Sequence, residues 1–209
     1  EFYSCGGTQL LVNGEEVKKF TNKHGSRGTS YGMYVEANKP YKIEIKFQYF
    51  SGDAQLNFDL GFKRDADIKS SVAKVKDADV VIFVGGISPS LEGEEMGVDL
   101  EGFKRGDRTD IELPAVQREL IKALYNAGKK VVFVNCSGSP IGMEPETKYC
   151  QAILQAWYPG QSGGKAVADV LFGDYNPAGR LPVTFYRNIS QLPDFEDYNM
   201  AGRTYRYFK

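Results

Sequence analysis

Residues 79–86 read DVVIFVGG, and an almost unbroken apolar run of this length is typical of a strand buried on both faces. Two more apolar runs, KKVVFVN at 129–135 and QAILQAWYPG at 151–160, predict a second and a third strand. Segments with the spacing of amphipathic helices lie before, between and after these runs. Strands that alternate with helices in this way predict an α/β fold, with a mostly parallel sheet sandwiched by helices.

Helical spacing of apolar residues occurs in three segments, at positions 65–78, 113–130 and 162–173. In the first segment, Asp65 or Asp67 is available as the N-cap. In the second, Pro114 marks the start of the helix and Gly128 marks its end. The second helix is predicted to have one apolar stripe, formed by Val116, Leu120 and Leu124.

The preceding part of the chain follows a different period, because residues 9–62 alternate apolar and polar side chains. YKIEIKFQYF at 41–50 and AQLNFDLGF at 54–62 each place their apolar residues on one face, and Asn13-Gly14 is a strong hairpin signal. This pattern predicts antiparallel strands with one buried face. The predicted domains are therefore a small antiparallel β module over residues 1–64 and the α/β domain over residues 65–209.

Composition excludes several classes of protein. The 26 basic and 27 acidic side chains nearly cancel and form no basic stripe, so a nucleic-acid partner is not expected. No apolar run approaches the roughly 20 residues needed to span a membrane. One histidine, His24, and three scattered cysteines make a zinc site or a disulfide framework improbable. The start at EFYSCGG and the end at RTYRYFK suggest a piece of a longer protein.

Three loops follow the predicted parallel strands, at 85–112, 136–150 and 158–162. Loops that leave the carboxyl ends of parallel strands converge at one edge of the sheet, where ligands bind. The first of these loops is longer than about 12–15 residues, and loops beyond that length are usually functional or disordered. It contains the acidic sequence LEGEE at 91–95. The position is right for a functional site.

The carboxylates of this acidic sequence are Glu92, Glu94 and Glu95. Mutual repulsion would raise the pKa of one of them and allow it to donate a proton. Arg105 or Arg108 could instead hold one of them ionised. A solvated acidic loop explains the same residues. The pattern alone leaves acid/base chemistry and a solvated surface both open.

Two glycine-containing motifs resemble nucleotide or nucleophile motifs but depart from them. Gly160 and Gly164 are one residue too close for a phosphate-binding loop, and Ala166 replaces the hydroxyl that would hold magnesium. NCSGSP at 135–140 lacks the spacing of a nucleophile elbow. Tight turns between strands and helices are the better interpretation of both.

Taken together, these segments resemble glycoside hydrolase family 3. DADVVIFVGG, the acidic loop, DRTDIELPAVQRELI, VVFVNCSGSPIGM and GDYNPAGRLPVTFY follow that family's C-terminal α/β-sandwich domain, over about residues 65–209. The segments LLVNGEEV and KPYKIEIKFQYFSGDAQLNFDLGF resemble the second half of the protective-antigen-type β module inserted in many of these enzymes.

The resemblance implies a retaining, exo-acting β-xylosidase or β-glucosidase that uses an aspartate nucleophile and a glutamate acid/base. The nucleophile is expected in an N-terminal barrel that this chain lacks, so the chain alone is expected to be inactive. Related sequences carry the acid/base in a Ser-x-Glu-Gly setting. Ser90-Leu91-Glu92-Gly93 matches it, which makes Glu92 the expected acid/base and Glu94 the second candidate.

Further expectations come from the same resemblance. The substrate would be an oligosaccharide, the barrel of the parent chain would be a partner, and neither a metal nor another cofactor would be needed. Members of this type are often exported to the periplasm or the medium. The alternative is a non-catalytic carbohydrate-binding or scaffolding region with a solvated acidic loop. Neither the sugar nor the oligomeric state follows from the sequence.

Overall fold

The computed structural model describes residues 2–4, 6–20, 27–50, 54–62, 64–92, 100–105 and 107–207. The chain divides into two compact units, Glu1–Asp65 and Ala66–Lys209. Strands of the first unit pair in antiparallel fashion, whereas the main sheet of the second unit is parallel. No helix in the described part of the chain has the length and apolar character that crossing a bilayer requires.

The described residues of the first unit form two sheets of three strands, in the orders β4-β1-β6 and β3-β2-β5. The strands are β1 (Phe2–Ser4), β2 (Gly7–Val12), β3 (Glu15–Phe20), β4 (Arg27–Thr29), β5 (Ile43–Gln48) and β6 (Leu56–Phe58). Asn13 and Gly14 form the turn between β2 and β3, which confirms the predicted hairpin. Leu10 and Leu11 on the central strand β2 are buried.

The predicted strand at 54–62 is shorter in the structure, where only Leu56–Phe58 is extended and paired. Phe58, Leu60 and Phe62 are 63%, 80% and 90% exposed, so the predicted burial of this face is wrong from Phe58 onward. Alternation records which side chains share a face, but burial also needs a partner strand and a covering layer. Among the described residues, β6 pairs with β1 over three positions only.

In the part of the second unit that the structure describes, the main sheet is parallel and has three strands in the order β11-β10-β7. Its strands are β7 (Val80–Gly86), β10 (Lys130–Cys136) and β11 (Ala152–Gln155), and a small antiparallel pair is formed by β8 (Phe103–Lys104) and β9 (Asp107–Arg108). The helices are α1 (Ile68–Lys74), α2 (Ala115–Asn126), α3 (Glu144–Thr147), α4 (Gly163–Phe172) and α5 (Thr204–Tyr207), with a 3-10 turn at Ile189–Gln191. The predicted α/β fold is confirmed.

Helix α1 begins after Asp67, whose side chain accepts a hydrogen bond of 2.9 Å from the Ser70 N–H and caps the helix. Helix α2 begins after Pro114, as predicted. Its buried side chains are Ile121 and Leu124, whereas Val116 is 44% exposed. The predicted stripe is therefore rotated.

One polar side chain of α2 contacts the sheet. The Gln117 side-chain amide accepts from the Gly86 N–H and donates to the Gly86 carbonyl, each at 2.8 Å. The side of α2 that faces the sheet therefore includes a polar residue, which hydrophobic spacing does not identify.

The core of the second unit is one cluster of buried apolar side chains: Ile87, Phe103, Leu113, Ile121, Phe133 and Ile141. Strand β7 is less covered than its sequence predicts, because Val80, Ile82 and Val84 are 48%, 45% and 65% exposed. In the sheet that the structure describes, β7 is an edge strand, and one of its faces carries these side chains. The prediction of burial on both faces is wrong for β7.

Candidate active site

The loops that follow the three parallel strands meet at the side chain of Glu92. This glutamate lies after β7, Gly138 and Ser139 lie after β10, and Tyr158 lies after β11. The Gly138 N–H donates to Oε2 of Glu92 at 2.9 Å. The Tyr158 hydroxyl donates to the same oxygen and the Ser139 hydroxyl donates to Oε1. The predicted convergence of the loops at the carboxyl edge is confirmed.

Arg108 supplies the positive charge beside this carboxylate. Its Nη1 lies 3.8 Å from Oε1 of Glu92 and donates to the Ser139 hydroxyl at 3.1 Å. Its Nη2 donates to the Glu112 carbonyl at 3.1 Å. The side chains of Arg108 and Glu92 are only 14% and 12% exposed, so water screens this pair weakly. Arg105, the other arginine considered from the sequence, is exposed.

These contacts determine the ionisation of Glu92. Burial raises the pKa of its carboxyl group. Hydrogen bonds from Ser139, Tyr158 and Gly138 and the charge of Arg108 together lower this pKa by more than burial raises it. The net result is a pKa below the ordinary value of 4.5. Glu92 is therefore an ionised carboxylate at neutral pH, with donors on both oxygens.

Tyr158 has the opposite shift. Burial and the hydrogen bond to Glu92 raise the pKa of its hydroxyl to about 12. The phenol therefore keeps its proton throughout the physiological range, as a donor to a carboxylate must. Its oxygen also lies 2.9 Å from the Ile87 carbonyl, at the point where the chain leaves β7.

Two glycines make this arrangement sterically possible. Gly86 has φ +123°, and a Cβ there would lie 1.9 Å from the Cys136 carbonyl oxygen on the adjacent strand. A Cβ on Gly138 would lie 2.5 Å from Cε2 of Tyr158 and 3.0 Å from Oε2 of Glu92. A side chain at position 138 would therefore separate the Tyr158 ring from the carboxylate.

A second ion cluster supports the loop after β10. Glu146 is fully buried, and Arg118 contacts it with Nε to Oε1 at 2.7 Å and Nη2 to Oε2 at 3.2 Å. Arg118 also contacts the Glu112 carboxylate at 2.7 Å and donates to the Gly142 carbonyl at 2.9 Å. These bonds connect α2 to the segment that contains Gly142 and α3, and to Glu112, which precedes α2.

A cavity of about 590 Å³ opens beside Glu92. It is lined by Glu92, Asp107, Arg108, Ile111, Gly138, Ser139, Pro140, Tyr158, Thr184, Tyr186 and Leu192. Hydroxyl, charged and apolar groups therefore face one space, which suits a ligand with many hydroxyl groups and an apolar ring face. Trp157 packs edge to face on Phe185, with ring centroids 5.9 Å apart, and is not among these lining residues.

Sequence reasoning identified Glu92 and Arg108 but missed Ser139 and Tyr158. The sequence indicated these two residues only by their position directly after β10 and β11. Side chains that follow parallel strands meet at the same edge of the sheet whatever their type. Glu94, the second acid/base candidate, and Glu95 lie outside the described residues. Among the side chains that the structure describes, no group of three His, Cys, Asp or Glu residues is placed to hold a metal ion.

Comparison with known sequences decides the family. Residues 7–208 match the family described as the glycosyl hydrolase family 3 C-terminal domain. The chain belongs to this family. The resemblance seen in the sequence is confirmed, and the match extends over both units. The assignment of residues 1–64 to a protective-antigen-type module stays a prediction.

Two curated relatives cover different shares of the chain. A xylan 1,4-β-xylosidase of Xylanibacter ruminicola is 56% identical over 208 residues, which are 98% of this chain and 24% of that protein. A periplasmic β-glucosidase of Salmonella typhimurium is 41% identical over 140 residues, which are 67% of this chain and 17% of that protein. The chain thus spans about a quarter or less of the length of these relatives.

A solved structure supports the fold. The crystal structure of a β-glucosidase from Kluyveromyces marxianus in complex with glucose matches with a TM-score of 0.64. The match covers 99% of this chain and 26% of that chain at 22% sequence identity. Similarity at this identity establishes the family's α/β architecture and leaves the activity to other evidence.

Proposed function

We propose that the protein containing this chain is a retaining, exo-acting β-glycosidase that releases terminal β-linked sugars from oligosaccharides. The 56% identity to a xylan 1,4-β-xylosidase across 98% of the chain favours β-xylosides over β-glucosides. The observation that carries the proposal is Glu92 of a family 3 domain, which follows β7 and lines a cavity with polar and charged side chains. This chain would contribute the acid/base carboxylate.

The chemistry needs two carboxylates about 5–5.5 Å apart. One attacks the anomeric carbon and forms a glycosyl-enzyme, while the other protonates the departing glycosidic oxygen. The second carboxylate then takes a proton from the water that releases the sugar. The nucleophile is assigned to an N-terminal barrel in the parent chain. We therefore expect no turnover from these 209 residues alone.

The environment of Glu92 bears on which glutamate is the acid. A general acid must carry a proton when the glycosidic bond breaks. Glu92 accepts hydrogen bonds on both oxygens and faces Arg108, and these contacts favour its ionised form. Glu92, the glutamate in the Ser-x-Glu-Gly setting, is the proposed proton donor, and it must carry a proton in the complete site before the bond breaks; Glu94 is the second candidate from the sequence.

The test compares Glu94→Ala with Glu92→Ala in the full-length parent, on aryl β-xylosides and β-glucosides with good and poor leaving groups. Loss of the general acid should reduce kcat/KM for poor leaving groups by about 10²–10⁴-fold and spare kcat/KM for good ones. With good leaving groups the glycosyl-enzyme should accumulate, because the base that activates water is missing too, and added azide should raise kcat and give a glycosyl azide.

Each outcome has a distinct meaning for this proposal. The expected pattern in Glu92→Ala supports it and identifies the preferred sugar. The same pattern in Glu94→Ala would assign the acid to Glu94 instead. A parent protein without turnover on any glycoside would refute the proposed activity.

We further propose that the parent protein is exported, because the relative from Salmonella typhimurium is named a periplasmic β-glucosidase. Fractionation of the native host should then place xyloside-cleaving activity in the periplasm or medium. Activity confined to the cytoplasmic fraction would contradict export.

A further inference from the structure

We propose that Glu92 carries its transferable proton on Oε1, and that Tyr158 is a positioning residue that keeps Oε2 in the unprotonated, accepting state. This inference rests on the proposed function and deepens it, because it names the atom of Glu92 from which the glycosidic oxygen is protonated. The assignment depends on how many hydrogen-bond donors each carboxylate oxygen faces, and on how firmly those donors are held.

The two oxygens of the Glu92 carboxylate differ in the number of donors beside them. Oε2 accepts from the Gly138 N–H at 2.9 Å and from the Tyr158 hydroxyl. Oε1 accepts from the Ser139 hydroxyl, whereas Nη1 of Arg108, at 3.8 Å, is too far for a hydrogen bond. Each carboxylate oxygen has two lone pairs. Within the described part of the chain, both lone pairs of Oε2 are therefore occupied, and one lone pair of Oε1 is left for a proton.

The donor from Gly138 is held in place by the loop after β10. The buried Ser137 hydroxyl donates to the Ser139 carbonyl at 2.8 Å, which fixes the backbone on both sides of Gly138. The same hydroxyl accepts from Nδ2 of Asn135 and from Nε2 of Gln155, each at 3.2 Å. A backbone N–H can only donate, so Oε2 must accept in both protonation states, as the carbonyl oxygen of a carboxylic acid does.

Tyr158 is held at the same oxygen by the end of β7. Its hydroxyl lies 2.9 Å from the Ile87 carbonyl, and Ile87 is buried and donates its N–H to the Cys136 carbonyl at 2.9 Å. Burial and the hydrogen bond to Glu92 raise the pKa of the phenol to about 12, so it keeps its proton. A proton on Oε2 would force the phenol hydrogen to turn to Ile87 and would weaken the Gly138 bond. A proton on Oε1 leaves every donor in place.

Oε1 can take a proton without losing its own donor. Nη1 of Arg108 donates to the Ser139 hydroxyl oxygen at 3.1 Å, so the hydroxyl hydrogen is left for Oε1. A protonated Oε1 keeps one lone pair for this bond. The proton then passes from Oε1 to the glycosidic oxygen as the bond between that oxygen and the anomeric carbon breaks. The O–H electron pair stays on Oε1, which leaves a carboxylate.

The experiment uses the full-length parent with Tyr158→Phe and Ser139→Ala, each of which removes one hydroxyl donor from Glu92. For each variant, kcat/KM is measured at its pH optimum on a series of aryl β-xylosides. Tyr158→Phe frees a lone pair on Oε2 and lets the proton move there. Its kcat/KM should fall about tenfold more for poor leaving groups than for good ones, within the range that small misplacements of reacting groups produce. Ser139→Ala keeps both donors on Oε2, so its leaving-group dependence should match wild type.

The pH profile gives a readout that general damage to the fold does not move. Burial raises the pKa of Glu92, and the hydroxyls of Ser139 and Tyr158 lower it. Loss of either hydroxyl should raise this pKa and move the alkaline limb of kcat/KM to higher pH, because the general acid keeps its proton longer. Tyr158→3-fluorotyrosine, nearly isosteric and a stronger donor, should move that limb to lower pH with wild-type leaving-group dependence. The control Lys165→Met removes an exposed ion pair and should retain the wild-type profile.

Three results would overturn the inference. A steeper leaving-group dependence in Ser139→Ala than in Tyr158→Phe would place the proton on Oε2. Wild-type leaving-group dependence in Tyr158→Phe would remove its positioning role, and so would an alkaline limb that stays fixed in both Tyr158 variants. Glu92→Ala tests the proposed function separately, because its leaving-group dependence and its response to azide are the same whichever oxygen carries the proton.

Discussion

The buried cluster around Arg118 allows a quantitative prediction. Its partner Glu146 is fully buried and accepts two hydrogen bonds from the guanidinium, at 2.7 and 3.2 Å. The Arg118→Met substitution keeps the aliphatic stem and removes both bonds, together with the contacts to Glu112 and Gly142. Glu146 would then be a buried charge without its guanidinium partner.

The expected magnitude follows from that geometry. Removal of one partner of a buried ion pair typically lowers the free energy of unfolding by about 3–5 kcal/mol, because the remaining charge loses its compensation. If the free energy of unfolding falls by about 2 kcal/mol for each molar of urea, the midpoint of the urea transition should fall by about 1.5–2.5 M. Simultaneous replacement in Arg118→Met/Glu146→Leu should restore part of the loss, since no buried charge remains at position 146.

The assay is urea unfolding of the chain followed by tryptophan fluorescence. Trp157 is the only tryptophan in the sequence, so its emission reports the second unit alone. The matched control is Lys165→Met. This substitution removes the ion pair between Nζ of Lys165 and Oδ2 of Asp169, which lie 2.6 Å apart, and the Lys165 side chain is 76% exposed. An exposed pair of this kind contributes about 0.2–1 kcal/mol. If Arg118→Met shifts the midpoint no more than the control does, the argument from the buried pair is refuted.

Three further predictions concern the strand ends. Gly86→Ala should lower the free energy of unfolding by about 3 kcal/mol or more, because its Cβ would lie 1.9 Å from the Cys136 carbonyl oxygen; a loss below about 1 kcal/mol in urea would contradict this. Gly138→Ala should displace Tyr158 and reduce kcat of the parent about tenfold, and an unchanged kcat would show that the ring does not move. The stability advantage of wild type over Glu92→Gln should be constant above about pH 5.5 and decline below the ordinary pKa of 4.5. This direction follows from the lowered pKa of Glu92. The folded chain binds the proton less readily than the unfolded chain, so acidification favours unfolding until Glu92 is protonated in both states. An advantage of wild type that grows on acidification would contradict this prediction.

Local patterns in the sequence account for much of the fold. Apolar runs predicted the three parallel strands, Asp67 and Pro114 marked the starts of α1 and α2, and Asn13-Gly14 marked a hairpin. These features depend on neighbours a few positions away, so spacing and residue type carry the information. The location of Glu92 at the carboxyl edge followed as well, because strand direction alone determines that edge.

The tertiary structure decided the environment of Glu92 and the faces that are buried. The donors to Glu92 lie 46, 47 and 66 positions away in sequence, so their approach depends on how three strands align. The choice of Arg108 over Arg105, the direction of the pKa shift of Glu92 and the rotated face of α2 depend on such distant contacts. Hydrophobic spacing contains no information about which polar groups meet across strand ends, because hydrogen-bond geometry is set only when the sheet has formed.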